Sequence, residues 1–217
     1  MRILGLDEAG RGCVLGDLVV GGFVFDCPTP TIPAQQPLRD AGANDSKALS
    51  PKRRAQVQAA LLALGEPHTR SITPARIDNG NLNALEIDAF LDIVQVTRPD
   101  HVFLDAPVNP AGIPRLRADL VRRSGVQGWT IEPKADATYP VVGAASIFAK
   151  LLRDAAIDQL NAENAGKVGS GYPSDPLTRA WLQGFLRSGE PFPRCVRTRW
   201  ATLDNLRQTS LFGPQAP

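Results

Sequence analysis

Four carboxylates occupy positions where chemistry can collect. Asp7 and Glu8 close the apolar stretch 2–6, Asp105 closes His101–Leu104, and Asp136 follows the strand-like WTIEP at 129–133. Each acid follows a short apolar run and precedes a turn or helix. In open α/β sheets, reacting groups gather beyond the carboxyl ends of the strands, so these acids can converge there. Carboxylates held together repel one another, and a proton or cation must come between them. Hard oxygen ligands select Mg²⁺ or Mn²⁺ over zinc. Two such ions about 3.5–4 Å apart assist in-line displacement at phosphorus, one activating water and the other stabilising the leaving oxygen. An acidic site of this kind needs a basic surround, for which Arg11, Lys47, Lys52 and Lys134 are candidates. The two histidines, His68 and His101, each begin a strand-like segment and read as structural residues rather than as bases. Two further acids compete for a place in the set: Glu132 falls inside a strand and Asp154 on a solvated helix face.

The pair Asp7-Glu8 sets a geometric condition. Successive strand residues point to opposite faces, so both can face one site only if the strand ends between them. The break at Ala9-Gly10 and the turn Gly10-Arg11-Gly12 directly afterwards predict such an end. Any single acid at a strand end is ordinarily a turn former or a helix cap; the set carries more weight than its members.

Elements that position these residues follow from pattern. Residues 2–6 and 17–26 read as strands joined by the glycine turn, and four prolines between Pro28 and Pro37 predict a surface loop without regular pairing. Ser50-Pro51 caps a helix whose first turn holds Lys52, Arg53 and Arg54. Cations gain nothing from a helix N-terminus, so these side chains either meet an external anion or extend into water. Helical spacing marks 82–96, 114–124, a long segment from Phe148 to about Glu163, 177–186 and 200–207. Strands that are first adjacent and then alternate with helices indicate an α/β domain, its early hairpins antiparallel and its later strands parallel.

At 217 residues, 43% hydrophobic and 21% charged, the chain suits one globular domain. No apolar run approaches the ~18 residues of a membrane span, and the acidic N-terminus is no signal peptide, so a cytoplasmic, membrane-free protein is expected. Three cysteines without CxxC spacing support neither a disulfide framework nor a zinc site. A net charge of +2 conceals basic clusters at 52–54, 122–123 and 194–199 that suit a polyanion or simply a solvated face.

Ordered motifs run through nearly the whole chain: DEAGRG at 7–12, NDSKALSPKRR at 44–54, NLN at 81–83, LDAP at 104–107, KADATYPVVGAASIFAK at 134–150, GSGYPSD at 169–175 and VRTRW at 196–200. In these blocks the chain resembles the ribonuclease HII family, nearer its archaeal form. The resemblance implies a ribonuclease H-like α/β fold: a mixed five-stranded sheet flanked by helices, in a single catalytic domain over 1–217, with a helical substrate-binding region at about 176–210. It maps the catalytic, metal-holding acids onto Asp7, Glu8, Asp105 and Asp136, with Mg²⁺ or Mn²⁺ as cofactor. It implies hydrolysis of RNA in RNA–DNA hybrids and of duplex DNA carrying single ribonucleotides, cut on their 5′ side to leave a 3′-hydroxyl and a 5′-phosphate.

Substrate contacts implied by the resemblance fall on Gly10, Arg11 and Gly12 at the ribose 2′-hydroxyl, and on Tyr172 at the RNA–DNA junction sugar. Asp45, Ser46, Lys47, Lys134 and Ser146 lie near the scissile strand, and Arg197 with Trp200 in a C-terminal helix that touches the duplex or packs on the body. Glycines let backbone amides approach a ribose, and the 2′-hydroxyl separates RNA from DNA. A monomer is implied, with a sliding clamp as a further partner of the family and the tail TSLFGPQAP as its candidate contact. The sister ribonuclease HIII carries an extra N-terminal domain, for which a motif beginning at residue 7 leaves no room. A non-catalytic hybrid-binding module is the alternative outside enzymology, and a full set of acids argues against it, since unneutralised acids weaken attraction to phosphates. Three departures stand out: Cys13 and Asp17 where the family has prolines, and Gly143 where it has serine. Asp17 is expected to add negative charge near the site.

Overall fold

A computed structural model describes residues 1–43 and 51–212, except that the side chains of 51–55 and 208–212 lie outside the description. The elements run β1 (Arg2–Ala9), β2 (Leu18–Asp26), α1 (Gln36–Asp40), α2 (Pro51–Leu62), β3 (Glu66–Ile72), α3 (Pro74–Asn79) and α4 (Leu82–Thr97). They continue with β4 (His101–Asp105), α5 (Ile113–Ser124), β5 (Gly128–Glu132), α6 (Ala135–Thr138), α7 (Pro140–Glu163), α8 (Pro176–Ser188) and α9 (Ala201–Phe212).

The five strands form one mixed sheet in the order β3-β2-β1-β4-β5. β2 pairs antiparallel with β1 and β3, whereas β1–β4 and β4–β5 are parallel, as the strand-then-alternation pattern predicts. Alternation along the strands divides the core. Leu4, Leu6, Val102 and Leu104 face α4 and α5, while Ile3 and Phe103 face α7. β3 is polar along most of its length and carries Pro67, features of an edge strand, which is why periodicity shows it only faintly.

Two expectations are corrected. The proline-rich segment has no strand pairing, as expected, but it is not loop throughout: Pro33–Gln35 form a 3₁₀ turn that leads into α1, and Leu38 is fully buried. The Gln35 side-chain oxygen accepts from the Val141 backbone N–H at 3.0 Å, satisfying an otherwise unpaired donor in the first turn of α7. α7 itself begins at Pro140, eight residues before the predicted start. Pro140 to Ala149 are buried without interruption, so this half of the helix has no polar face for periodicity to reveal. It lies directly on the sheet: a Cβ on Gly5 of β1 would sit 2.1 Å from the Val141 carbonyl oxygen.

A third cluster joins the segment after the glycine turn to the C-terminal helices. Val14, Leu15 and Val196 pack with Ile157 of α7, Leu182 of α8, and Leu203 and Leu206 of α9. Among the described residues no helix is long and apolar enough to cross a membrane.

Candidate active site

The parallel register pairs Leu6 with Leu104, so one further step sets Asp7 beside Asp105 at the carboxyl edge of adjacent strands. Both acids have the parity of Ile3 and Phe103 and so face the α7 side. Asp105 accepts from the Ala135 N–H at 3.0 Å, which pins the start of α6 to the end of β4 and brings Asp136 alongside. Lys134, exposed and at φ +59°, makes the sharp entry into α6. Asp7 is only 5% exposed; it accepts from the Glu8 N–H at 2.8 Å and is hydrogen-bonded to the Ser146 hydroxyl. Lys150 in turn donates to Ser146 Oγ at 2.8 Å.

β1 does not end between Asp7 and Glu8. It pairs with β2 through Glu8–Val20 and Ala9–Val19, yet the Glu8 side chain still reaches the Asp7 carboxyl and hydrogen-bonds to it. The predicted strand end is therefore misplaced by two residues, because β2 supplies hydrogen-bond partners past the acids. At the strand's open edge the two carboxyls still feel each other. Burial, then the Asp7 charge, raises the Glu8 pKa from 4.5 to about 8, while Arg11 opposes the shift. Burial raises Asp7 from 3.8 to about 6; its bonds to Ser146 and Glu8 hold it down, and Asp105 and Asp136 add to the rise. Burial also raises Asp105.

These acids retain protons better when folded than when unfolded, so their contribution to stability is complete below the unfolded values and is lost as pH rises through about 6 and about 8. In chelator, the stability difference between wild type and Asp7→Asn should therefore shift against the wild type between pH 5 and 8.5, on the order of 2 kcal/mol. Thermal melts of both proteins across that range check the sign; parallel curves would show that Asp7 titrates as an ordinary exposed acid.

Such a set is suited to a hard cation, which would relieve the repulsion that raises the pKa values. Among the described residues, no group of three or more His, Cys, Asp or Glu side chains is arranged to hold a metal ion by itself. Mg²⁺ keeps several waters and takes one or two carboxylates together with substrate phosphate oxygens. The two competing acids are otherwise engaged: Glu132 accepts from the Tyr139 hydroxyl at 2.8 Å and Asp154 pairs with Arg153 at 3.0 Å.

The glycine turn is held from both sides. Arg11 is bound to Glu86, a fully buried acid of α4, and to Asn83 of the NLN motif, whose Asn81 caps that helix. Arg11 thus belongs less to a basic surround than expected. Glu86 escaped sequence reading, although it falls on the buried stripe 86, 89, 90, 93, 94 and 97 of α4. Gly10 needs its residue type for the fold: φ is +84° and a Cβ would lie 2.9 Å from the Asp17 carbonyl oxygen. At Gly12 a Cβ would meet nothing within 4 Å, so the fold leaves that side open.

Tyr172, 42% exposed, stands next to this turn because the Gly171 carbonyl accepts from Val14 N–H at 2.9 Å. Arg153 stacks on its ring at 4.8 Å and also donates to the Ser170 carbonyl and to Cys13 Sγ. Arg153 thus supports the Tyr172 ring.

Two predicted site residues and one of the departures from the family pattern are placed otherwise than expected. Ser146 is fully buried under the acids, bonded to Asp7 and Lys150 rather than open to a strand. Arg197 is also fully buried and precedes α9 rather than lying in it. Asp17, expected to burden the site with charge, instead lies in the field of Arg197. Gly143 is required by space, since a Cβ would approach the Ala43 carbonyl oxygen to 2.1 Å. Asp45, Ser46 and Lys47 lie outside the described residues, as do the side chains of Lys52, Arg53 and Arg54.

Comparison with known proteins matches residues 4–203 to the family model described as Ribonuclease HII. Curated ribonuclease HII proteins of Methanocorpusculum labreanum and Pyrococcus furiosus are 39% and 38% identical, covering 97% and 96% of this chain and 98% and 92% of their own. Among solved structures, ribonuclease H2 of Pyrococcus horikoshii is similar at a TM-score of 0.84 and 34% identity, over 98% of this chain and 100% of that one. The ribonuclease HII of Archaeoglobus fulgidus, solved in a complex with PCNA, is similar at 0.82 and 37%, over 95% and 97%.

Proposed function

The chain belongs to the ribonuclease HII family and is a ribonuclease H acting on RNA–DNA hybrids, and from that premise we propose that it also cuts duplex DNA on the 5′ side of a single embedded ribonucleotide. The products are a 3′-hydroxyl and a 5′-phosphate. The observation that carries this reading is the placement of Asp7 and Asp105 side by side at the sheet edge, next to a glycine turn whose open side is at Gly12.

Asp7, Glu8, Asp105 and Asp136 would hold Mg²⁺ or Mn²⁺, which supplies activation of water and charge stabilisation at the phosphate. This chain's own residues do the rest. Ser146, itself held by Lys150, fixes the Asp7 carboxylate, and the Ala135 N–H fixes Asp105. The turn Gly10–Gly12 offers backbone to the ribose and its 2′-hydroxyl, the group that distinguishes RNA. Tyr172, held flat by Arg153, packs on the neighbouring deoxyribose, where an added 2′-hydroxyl would be crowded. Lys134 at the mouth and Asp45, Ser46 and Lys47 bind the strand near the scissile phosphate. The molecule works as a single-domain monomer whose C-terminal helices, packed beneath the turn, form the substrate-binding region. A sliding clamp of the PCNA type is a partner consistent with the Archaeoglobus fulgidus complex.

The test is a labelled DNA duplex with one ribonucleotide, incubated with Mg²⁺, Mn²⁺ or chelator. Cleavage 5′ of the ribonucleotide with metal and none with chelator is expected; an intact strand with either metal, binding retained, would favour a non-catalytic binding module. In the same assay Gly12→Ala should leave the melting temperature unchanged, because its methyl group enters open space, yet reduce kcat/KM by roughly tenfold or more by occupying room meant for the sugar. Equal activity of the two proteins would remove the turn from substrate recognition.

A further inference from the structure

Arg197 presents an unusual commitment of charge. Its guanidinium is fully buried, with Nη2 donating to the Gly10 carbonyl at 2.8 Å, Nη1 to the Arg11 carbonyl at 3.1 Å and Nε to the Gly16 carbonyl at 3.0 Å. The plane rests on the Trp200 ring at 5.1 Å, and Asp17 supplies a nearby opposite charge. Burying a cation against neutral acceptors is costly, and an apolar side chain would fill the space without that cost. What the guanidinium adds is direction. A trans peptide points its C=O and N–H oppositely, so drawing the Gly10 and Arg11 carbonyls inward turns the N–H groups of Arg11 and Gly12 outward. The outward side is the one left open at Gly12. The Arg11 side chain, meanwhile, is fastened to Glu86 on α4, so the turn presents backbone rather than its own cation.

We infer that Arg197 is a positioning residue for sugar discrimination: by taking the carbonyls of the glycine turn, it aims the turn's amides at the ribose without touching substrate itself. This rests on the sugar-reading role proposed for the turn. It also accounts for Asp17, which serves as a counter-charge to Arg197 rather than as a burden on the metal-holding acids.

A lysine keeps the charge but offers a flexible point donor in place of a planar fork, so it cannot hold three carbonyls in fixed directions. The test uses full-length Asp105→Asn protein, so that binding is read without cutting, and compares Kd for an all-DNA duplex with Kd for the same duplex carrying one ribonucleotide. In Asp105→Asn alone the ribonucleotide should tighten binding about tenfold, the worth of one or two hydrogen bonds. Adding Arg197→Lys should abolish that gain while leaving the all-DNA Kd within about twofold. Retention of the full gain, or an equal weakening on both duplexes, would overturn the inference. A missing gain in Asp105→Asn itself would overturn the sugar-reading role, and with it the role of Arg197. Should Arg197→Lys fail to fold, Trp200→Leu, which removes the ring supporting the guanidinium, carries the same comparison: partial loss of the gain supports the inference and full retention refutes it.

Discussion

Asp7→Asn should reduce cleavage of an RNA–DNA hybrid by roughly a thousandfold or more, while the metal-free protein becomes no less stable than the wild type at neutral pH. The loss corresponds to the several kcal/mol that a bound metal contributes at a phosphoryl oxygen. Asp7 is the most buried of the four acids, and it is fixed by Ser146 and by the Glu8 N–H, so no neighbour can swing into its place. Asparagine preserves the shape and one acceptor but removes the charge that attracts a cation. The same charge is a burden in the absence of metal: burial and the nearby Asp105 and Asp136 raise its pKa to about 6, so folding near pH 7 works against its ionisation. Activity and metal-free stability should therefore move in opposite directions, a trade-off common to functional sites. Initial rates with Mg²⁺ and thermal melts in chelator test both halves. Rates within tenfold of wild type would take Asp7 out of the catalytic set.

The second large effect is on the fold. Gly5→Ala should destabilise the protein by about 3 kcal/mol or more, because the added methyl would lie 2.1 Å from the Val141 carbonyl oxygen, a backbone atom that cannot move aside without the helix. For a chain of 217 residues this lowers the melting temperature by roughly 2–4 °C per kcal/mol. The consequence reaches the site. α7 carries Ser146, which holds Asp7, Lys150, which holds Ser146, and Arg153, which supports Tyr172. Lifting the helix from the sheet loosens all three, so the folded fraction of Gly5→Ala should also lose activity beyond its loss of stability. An unchanged melting temperature would contradict the close seating of α7 on β1.

Much of the site was legible from residue order because it depends on local rules. An acid after a short apolar run lies at a strand end, and the early antiparallel and later parallel strands follow from whether helices intervene; Asp7, Asp105 and Asp136 all fall at the sheet edge that these rules indicate. Local rules failed where a distant partner decides. β1 extends through Glu8 because β2 pairs with it, so the strand runs on past both acids despite the glycine turn just beyond. The first half of α7 lacks an amphipathic signal because sheet and helices enclose it on every side. Glu86 shows no sign of its role in residue order, because its partner Arg11 lies 75 residues earlier in the chain.

Residue order by itself determined the chemistry available to this protein: carboxylates at strand ends, a glycine turn after the first of them, an aromatic in the GSGYPSD loop. Only the tertiary structure decided which of those groups face the opening and which hold others in place. Arg197 and Ser146 have the residue types of substrate contacts, yet both are buried beneath the site, one 187 residues from the carbonyl it binds. Side-chain type limits what bonds a residue can make. Burial and the direction of its partners, set by contacts far apart in the chain, determine whether those bonds go to the substrate or to the protein.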